Sequence, residues 1–176
     1  MPTPQPATAE NAWINTIDGD RPEIIALARQ LISEQIYGTL ATSSPDGMPW
    51  GTPLFFVYDE ALNFYWSSAI AAQHSQNLYT NQGQAMITIY DAGKIKAVYF
   101  AGVATELTEP TKLAQILKLF DLRAKRPNPR LAADYLDQSP RRMYQFAINA
   151  GWLTGDRLQL GEQLIDTKIQ LNLAAL

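Results

Sequence analysis

A chain of 176 residues with 47% apolar and 18% charged side chains falls in the range of one globular domain, large enough to bury a core without staples. A net charge of −3 argues against a nucleic-acid surface, which would normally show a basic face. The absence of cysteine excludes disulfides, thiolate metal sites and cysteine nucleophiles, and fits a reducing compartment. No apolar run reaches the roughly 18 residues a membrane helix needs. The N-terminus also lacks a basic region followed by an apolar one, so no signal peptide is expected and a cytoplasmic protein is.

Residues 1–12 are rich in Pro, Thr, Ala and Gln and are expected to form a disordered tail, with residues 13–176 as a single domain. Asp20-Arg21-Pro22-Glu23 is a helix start, with Asp20 as cap, Pro22 in the first turn and Glu23 three residues on. Ile24, Leu27, Ala28, Leu31 and Gln35 keep helical spacing, and Gly38 is the stop. The period then changes to two. Thr39 to Ser43 is a strand, Ser44-Pro45-Asp46-Gly47 a turn, and Met48 to Tyr58 a second strand. Pro49 and Pro53 cannot donate to a ladder, which demands an edge or a bulge there. With Leu62 to Ser67 these strands read as an antiparallel meander.

Ala85 to Tyr90 is a fourth strand and Lys96 to Leu107 a fifth, with Gly102 marking a bend. Thr108 caps a helix with Pro110 in its first turn and Leu113, Ile116, Leu117 and Phe120 on one face. Pro127 and Pro129 end it, and Leu131 to Leu136 forms another short helix. Met143 to Ala150 is a strand, Gly151-Trp152 a break, and Arg157 to Leu173 an extended pair around Gly161. The fold class is mainly β with flanking helices: a six-stranded antiparallel barrel, with a helical insertion near 108–138.

The chemistry centres on Phe64 to Leu78. An aromatic, strand-prone run delivers Ser67 and Ser68, and a helix-prone run carries His74, the only histidine. A strand end leading into a helix start gathers hydroxyls and unpaired amides, an arrangement suited to an anion. The alternative is a plain strand–turn–helix with a capping serine and a surface histidine. Arg123, Lys125, Arg126 and Arg130 form a basic run whose simplest reading is a solvated helix end, with anion binding as the alternative. One histidine and scattered carboxylates make a poor start for a metal site. A Ser-His-Asp triad would pair His74 with Ser67 or Ser68, but neither serine sits in a nucleophile-elbow sequence. No Gly-x-Gly-x-x-Gly or Walker A run occurs. No residue stands out as a catalytic acid or base, a pattern that suits chemistry left to a bound cofactor. Trp50, between Pro49 and Gly51, stands where the strand cannot pair regularly, and Gly51-Thr52-Pro53 leaves backbone exposed to a flat ligand.

The ordered set Gly38-Thr39-Leu40-Ala41-Thr42, Asp46-Gly47-Met48-Pro49, Tyr65-Trp66-Ser67-Ser68, His74-Ser75-Gln76-Asn77-Leu78 and Ala85-Met86-Ile87 resembles the pyridoxamine 5'-phosphate oxidase-like, FMN-binding split-barrel family. The resemblance runs from Ile24 to Leu107, and more loosely through Trp152 and Asp166-Thr167-Lys168. It implies a homodimer with FMN at the subunit interface and a flavin-dependent redox reaction on a small molecule. It further implies that Ser67 and Ser68 bond the FMN phosphate, with Gln73, His74 and Ser75 where relatives place Arg or Lys. Trp50, Gly51, Thr52 and Pro53 would lie along the isoalloxazine ring, and Trp152 would approach it from the partner subunit. The family's Arg and Lys are absent from Thr52 to Val57, and its substrate-phosphate arginines are not recognisable, which argues against pyridoxamine phosphate as substrate. No second histidine supports the haem-degrading branch. A non-catalytic flavin carrier or sensor, or a deazaflavin-dependent reductase on the same fold, are the alternatives.

Overall fold

The protein, seen in a computed structural model, is described for residues 5–125 and 127–176. Its elements in chain order are β1 (Ile14–Asn15), α1 (Pro22–Glu34), β2 (Tyr37–Ser43), β3 (Pro49–Phe55), β4 (Val57–Tyr58) and β5 (Phe64–Ala69). There follow α2 (Gln73–Thr80), β6 (Gln84–Asp91), β7 (Lys96–Glu106) and α3 (Pro110–Ala124). A 3-10 turn at Ala132–Tyr135 precedes β8 (Arg141–Thr154), β9 (Leu158–Leu160), β10 (Gln163–Ile165) and β11 (Lys168–Gln170). Eleven strands stand among the described residues, but five of them (β1, β4, β9, β10 and β11) are only two or three residues long. The other six are the long strands expected. The chain forms two compact units, one made of residues up to Gln35 with Ile89–Tyr99 and Ala150–Leu176, the other of Ile36–Thr88 with Phe100–Asn149.

In the first unit α1 buries Ile25, Ala28, Leu31 and Ile32. Its N-cap is Arg21, not Asp20, and no side chain caps it; the start is set by Pro22, whose missing N–H costs nothing in a first turn. Its end is Gln35, already extended, rather than Gly38. The Gly151-Trp152 pair does not break a strand. β8 runs through both residues because β11 pairs with it there, Trp152 opposite Gln170 and Leu153 opposite Ile169. β1 lies parallel to β11, while β11 pairs antiparallel with β8. β9 and β10 form a hairpin around Gly161, whose φ of 60° suits glycine.

In the second unit β2 sits between β3 and β6, while β5 sits between β4 and β8. The expected meander is therefore interrupted at Phe56, where the chain leaves one group of strands for the other. The prolines explain the break. In an antiparallel pair alternate residues turn their amide edges toward and away from the partner. Pro49 and Pro53, opposite Ser43 and Thr39, have no N–H to give and so take outward-facing positions. Phe56, of the other parity, donates inward to the Ile36 carbonyl at 3.4 Å. Gly51 and Phe55 share the prolines' parity, so the outer edge of β3 is a row of carbonyls with few amides. β3 nonetheless pairs regularly with β2 from Pro49 to Phe55, so Trp50 does not stand in an irregular stretch as expected.

α3 buries Leu113, Ile116, Leu117 and Phe120 against Val57, Tyr65, Leu107 and Met143. Each large apolar side chain so buried contributes about 1.5–3 kcal/mol. Its cap is Glu109, not Thr108: the Glu109 carboxylate accepts the Thr111 and Lys112 amides. A longer side chain at the residue just before Pro110 reaches both amides, and charge assists the bonds. Asp59 ties this helix to the strands, accepting Tyr65 Oη at 2.7 Å and Lys112 Nζ at 3.1 Å besides the Asn63 amide at 2.9 Å. Burial alone would raise the Asp59 carboxyl; the hydrogen bonds from Tyr65, Asn63 and Lys112 outweigh it and hold it below the ordinary range. Gly102 lies within β7. β7 runs unbroken across it, and glycine is needed because a Cβ there would sit 2.1 Å from the Ala147 carbonyl oxygen.

Gly102→Ala must push β7 off a neighbouring backbone, and a urea melt is expected to show a loss of about 1–3 kcal/mol. Asp59→Asn should cost about 1–3 kcal/mol at neutral pH. Because folding depresses this carboxyl, its stabilisation is complete above about pH 3.9 and is lost as pH falls through the folded value. The difference between the two proteins in acid melts should shrink accordingly.

Candidate functional site

β5 carries the centre of the site. Successive residues point to opposite faces, so Trp66 and Ser68 share one face while Tyr65 and Ser67 share the other. Trp66 is fully buried and stacks on Tyr144 with ring centroids 5.6 Å apart and planes at 15°. On the same face Ser68 Oγ lies 2.7 Å from His74 Nε2. Across the strand, Arg141 Nη2 donates to Ser67 Oγ at 3.3 Å and to the Ser67 carbonyl at 3.4 Å. The two serines thus serve different partners. Neither caps a helix: β5 runs on to Ala69, and α2 starts at Gln73 behind Ala72.

His74 is the second residue of α2, which the chain reaches after a short link held by the Ile70 amide on the Pro140 carbonyl and the Ala72 amide on the Ala69 carbonyl. It is a buried side chain, only 7% exposed, not the surface histidine of the plainer sequence reading. Burial lowers its pKa from the ordinary value, so the ring is neutral in the free protein. Asn77, one turn on, donates to Thr42 Oγ1 at 3.0 Å and fixes α2 against β2.

A cleft of about 750 Å³ opens where β3 and β5 fail to pair. Its walls are Thr52, Pro53, Leu54 and Phe55 of β3, Ser67 and Ser68 of β5, His74, and Ile36 and Tyr37 at the start of β2. The far wall is the end of α3 with Phe120, Arg123, Ala124 and Lys125, and then Arg130. Among the described residues three cations line it and no carboxylate does, though Asp121 lies 3.9 Å from Arg130 Nε. The helix ends with Lys125 in the left-handed region at φ 50°, which turns the chain so that Arg130 returns to the cleft. The Arg130 amide donates to Asp121 at 2.9 Å, and its guanidinium lies 4.8 Å from the centre of the Phe120 ring. The Arg123 guanidinium lies over Phe56 at 5.0 Å and Tyr58 at 5.3 Å. Arg126 lies outside the described residues.

Of the residues expected at a site, Thr52, Pro53, Ser67, Ser68 and His74 meet in this cleft. Trp50 and Gly51 lie further along β3, both exposed, and do not line it. Gln73 turns back to its own helix, donating to Asn77 Oδ1 at 2.8 Å. Ser75 is fully buried on α2, and Trp152 belongs to the other unit. The contributions of Arg123, Lys125 and Arg130 come from the run that the sequence reads most simply as a solvated helix end. A cluster of cations with a single nearby carboxylate, Asp121, was the available signal.

An anionic, flat cofactor suits this arrangement. The volume lies within the roughly 300–1,000 Å³ of ligand pockets. Among the buried polar atoms of this unit without a hydrogen-bond partner are Arg130 Nη1, Ser75 Oγ, Trp66 Nε1 and Asn81 Oδ1, and such groups ordinarily find one; Arg130 Nε lies 3.9 Å from the Asp121 carboxylate. Hydroxyl, imidazole, ammonium and guanidinium groups line the cleft together, and each is a group that can bond a phosphate.

Among the described residues no helix is long and apolar enough to cross a membrane. No curated protein matches the chain significantly. Among solved structures, a protein of unknown function from Agrobacterium tumefaciens superposes with a TM-score of 0.63 at 18% identity, over 86% of this chain and 64% of its own. The heme storage protein HutZ of Vibrio cholerae gives 0.58 at 19% identity, over 73% of this chain and 89% of its own. A protein described as an F420 reductase gives 0.54 at 18% identity, over 70% and 94%. Likeness at these identities is likeness of fold. The family described as pyridoxamine 5'-phosphate oxidase matches residues 24–154. With that match spanning most of its length, and with this strand arrangement, the chain belongs to the pyridoxamine 5'-phosphate oxidase family and has its split-barrel fold.

Proposed function

We propose that the protein binds FMN in the cleft between β3 and β5 and acts as an FMN-dependent oxidoreductase on a small molecule. The observation that carries this reading is the convergence of Ser67, Ser68 and His74 with a free strand edge and three cations in one cleft. Ser67, Ser68 and His74 hold the phosphate. Arg123, Lys125 and Arg130 supply the positive field that relatives draw from strand cations, and Thr52 with Pro53 lies along the ring. Bound flavin supplies hydride transfer; the protein binds it, orients it and excludes water. Two copies form the working unit in this reading, with Trp152 reaching the partner's flavin and residues 13–176 acting as one domain. Sedimentation of the purified chain tests the dimer.

Ser68→Ala and Arg130→Ala should each weaken FMN about tenfold to a hundredfold, the worth of a hydrogen bond to a charged group. Fluorescence titration of added FMN measures this, and the absorption spectrum of the purified protein separates flavin from deazaflavin. Rapid oxidation of a nicotinamide cofactor by the loaded protein supports an enzyme, and inert bound flavin supports a carrier. Wild-type affinity in both variants would remove this cleft from flavin binding.

The single histidine allows a direct proton test. Burial depresses the His74 pKa, so stability from the neutral ring is complete above about pH 6.5 and is lost as pH falls through the folded value. A phosphate beside it favours the imidazolium, so binding takes up a proton and affinity falls as pH rises through the pKa in the complex. NMR titration of the lone imidazole should show a pKa below the ordinary value in the free protein and an upward shift with FMN. An unmoved titration curve at saturating FMN excludes His74 from the phosphate site.

A further inference from the structure

We propose that Ser68 is a nucleophile and His74 its general base, giving the protein an acyl-transfer activity toward small carboxylic esters that carry an anionic group. The pair has the geometry this chemistry needs: Ser68 Oγ lies 2.7 Å from His74 Nε2, within general-base reach. Both side chains are 7% exposed, and both line the cleft, so the hydroxyl is shielded yet open to a molecule inside it. The partners are held from independent directions. Ser68 is fixed in register opposite Arg142 on β8, and His74 by an α2 that is anchored to β2 through Asn77 and Thr42. The ring is neutral in the free protein, the state that accepts a proton.

The charge of the cleft selects the ester. Arg123, Lys125 and Arg130 line it; Arg130 Nε lies 3.9 Å from Asp121, and Arg130 Nη1 is buried without a hydrogen-bond partner. A carboxylate or phosphate on the acyl group meets these cations while its carbonyl reaches Ser68. Close to this hydroxyl along the chain, the amides of Gln73, His74 and Ser75 precede the first helical bond of α2, from the Gln76 amide to the Ala72 carbonyl. They are the donors nearest in sequence for a developing oxyanion.

In the first step Ser68 Oγ bonds to the carbonyl carbon as its proton passes to His74 Nε2. The tetrahedral adduct collapses, the ester C–O bond breaks, and that proton goes to the leaving alcohol. Water, giving its proton to Nε2, then attacks the acyl-serine, releases the carboxylic acid and returns the proton to Ser68. Among the described residues no carboxylate hydrogen-bonds to His74, so the arrangement is a dyad. Loss of an orienting carboxylate costs up to about 10⁴ in turnover. Slow turnover with clear covalent labelling is therefore the expected signature.

The test uses the full chain, free of FMN, treated with a fluorophosphonate probe and mapped by peptide mass spectrometry. One adduct is expected, at Ser68, absent in Ser68→Ala and formed at least about 100-fold more slowly in His74→Gln. The mono-para-nitrophenyl ester of succinate should acylate faster than para-nitrophenyl acetate, and Arg130→Ala should reduce that preference. Thermal melts identify any variant that fails to fold, and labelling of the wild-type protein then decides alone. No Ser68 adduct on the folded wild-type chain, or equal rates in a folded His74→Gln, overturns the proposal. Failure of the flavin reading is separable. A Ser68 adduct in a protein that does not bind FMN supports the nucleophile and sinks the flavin. FMN binding without any adduct in the FMN-free protein does the reverse.

Discussion

The free edge of β3 governs this site. Pro49 and Pro53 share the parity that faces away from β2, so only Gly51 and Phe55 of β3 have amides to offer a strand on that side. β5 takes its partners elsewhere, from β4 over two residues and from β8 over six. A gap is left between β3 and β5 that neither strand can close with a ladder. The lining mixes apolar Leu54, Phe55 and Phe120 with polar Ser67, Ser68, His74 and three cations.

Helix α3 completes what the strands begin. Its apolar face packs on Tyr65, Val57 and Met143, and the Asp59 carboxylate binds it further through Lys112 and Tyr65. That docking fixes where its C-terminal end falls. The left-handed Lys125 then turns the chain, and Asp121 receives the Arg130 amide, so a basic run becomes one wall of a cleft. Here the strand positions from Thr52 to Val57 carry no charge, and the positive field comes from the helix end.

The Ser68–His74 contact is common to both proposals made for this cleft. A serine hydroxyl against an imidazole can bind an anion when the ring gains a proton, or attack a carbonyl when the ring is neutral. Which occurs depends on the occupant of the cleft. Burial lowers the His74 pKa and so favours the neutral ring.

Periodicity and turn chemistry made the main elements legible. The apolar face of α3, the Gly47 turn at φ 85° and the six long strands all follow from spacing and from residues whose backbone freedom is special. Caps were less legible: Arg21 and Glu109 stand where Asp20 and Thr108 were expected, because a fixed proline sets a helix start more firmly than a side-chain oxygen does. Of the site, Ser67, Ser68 and His74 were readable because six residues separate a hydroxyl from the only imidazole across a strand–helix link. What the linear chain determined was local: where it extends, where it coils, and which residues carry reactive atoms. Which serine meets the imidazole, that Phe56 parts two groups of strands, and that Arg130 faces a cleft were decided only by the tertiary structure. Those facts depend on pairings and packing between residues far apart in the chain, and no local spacing encodes which distant partners will meet.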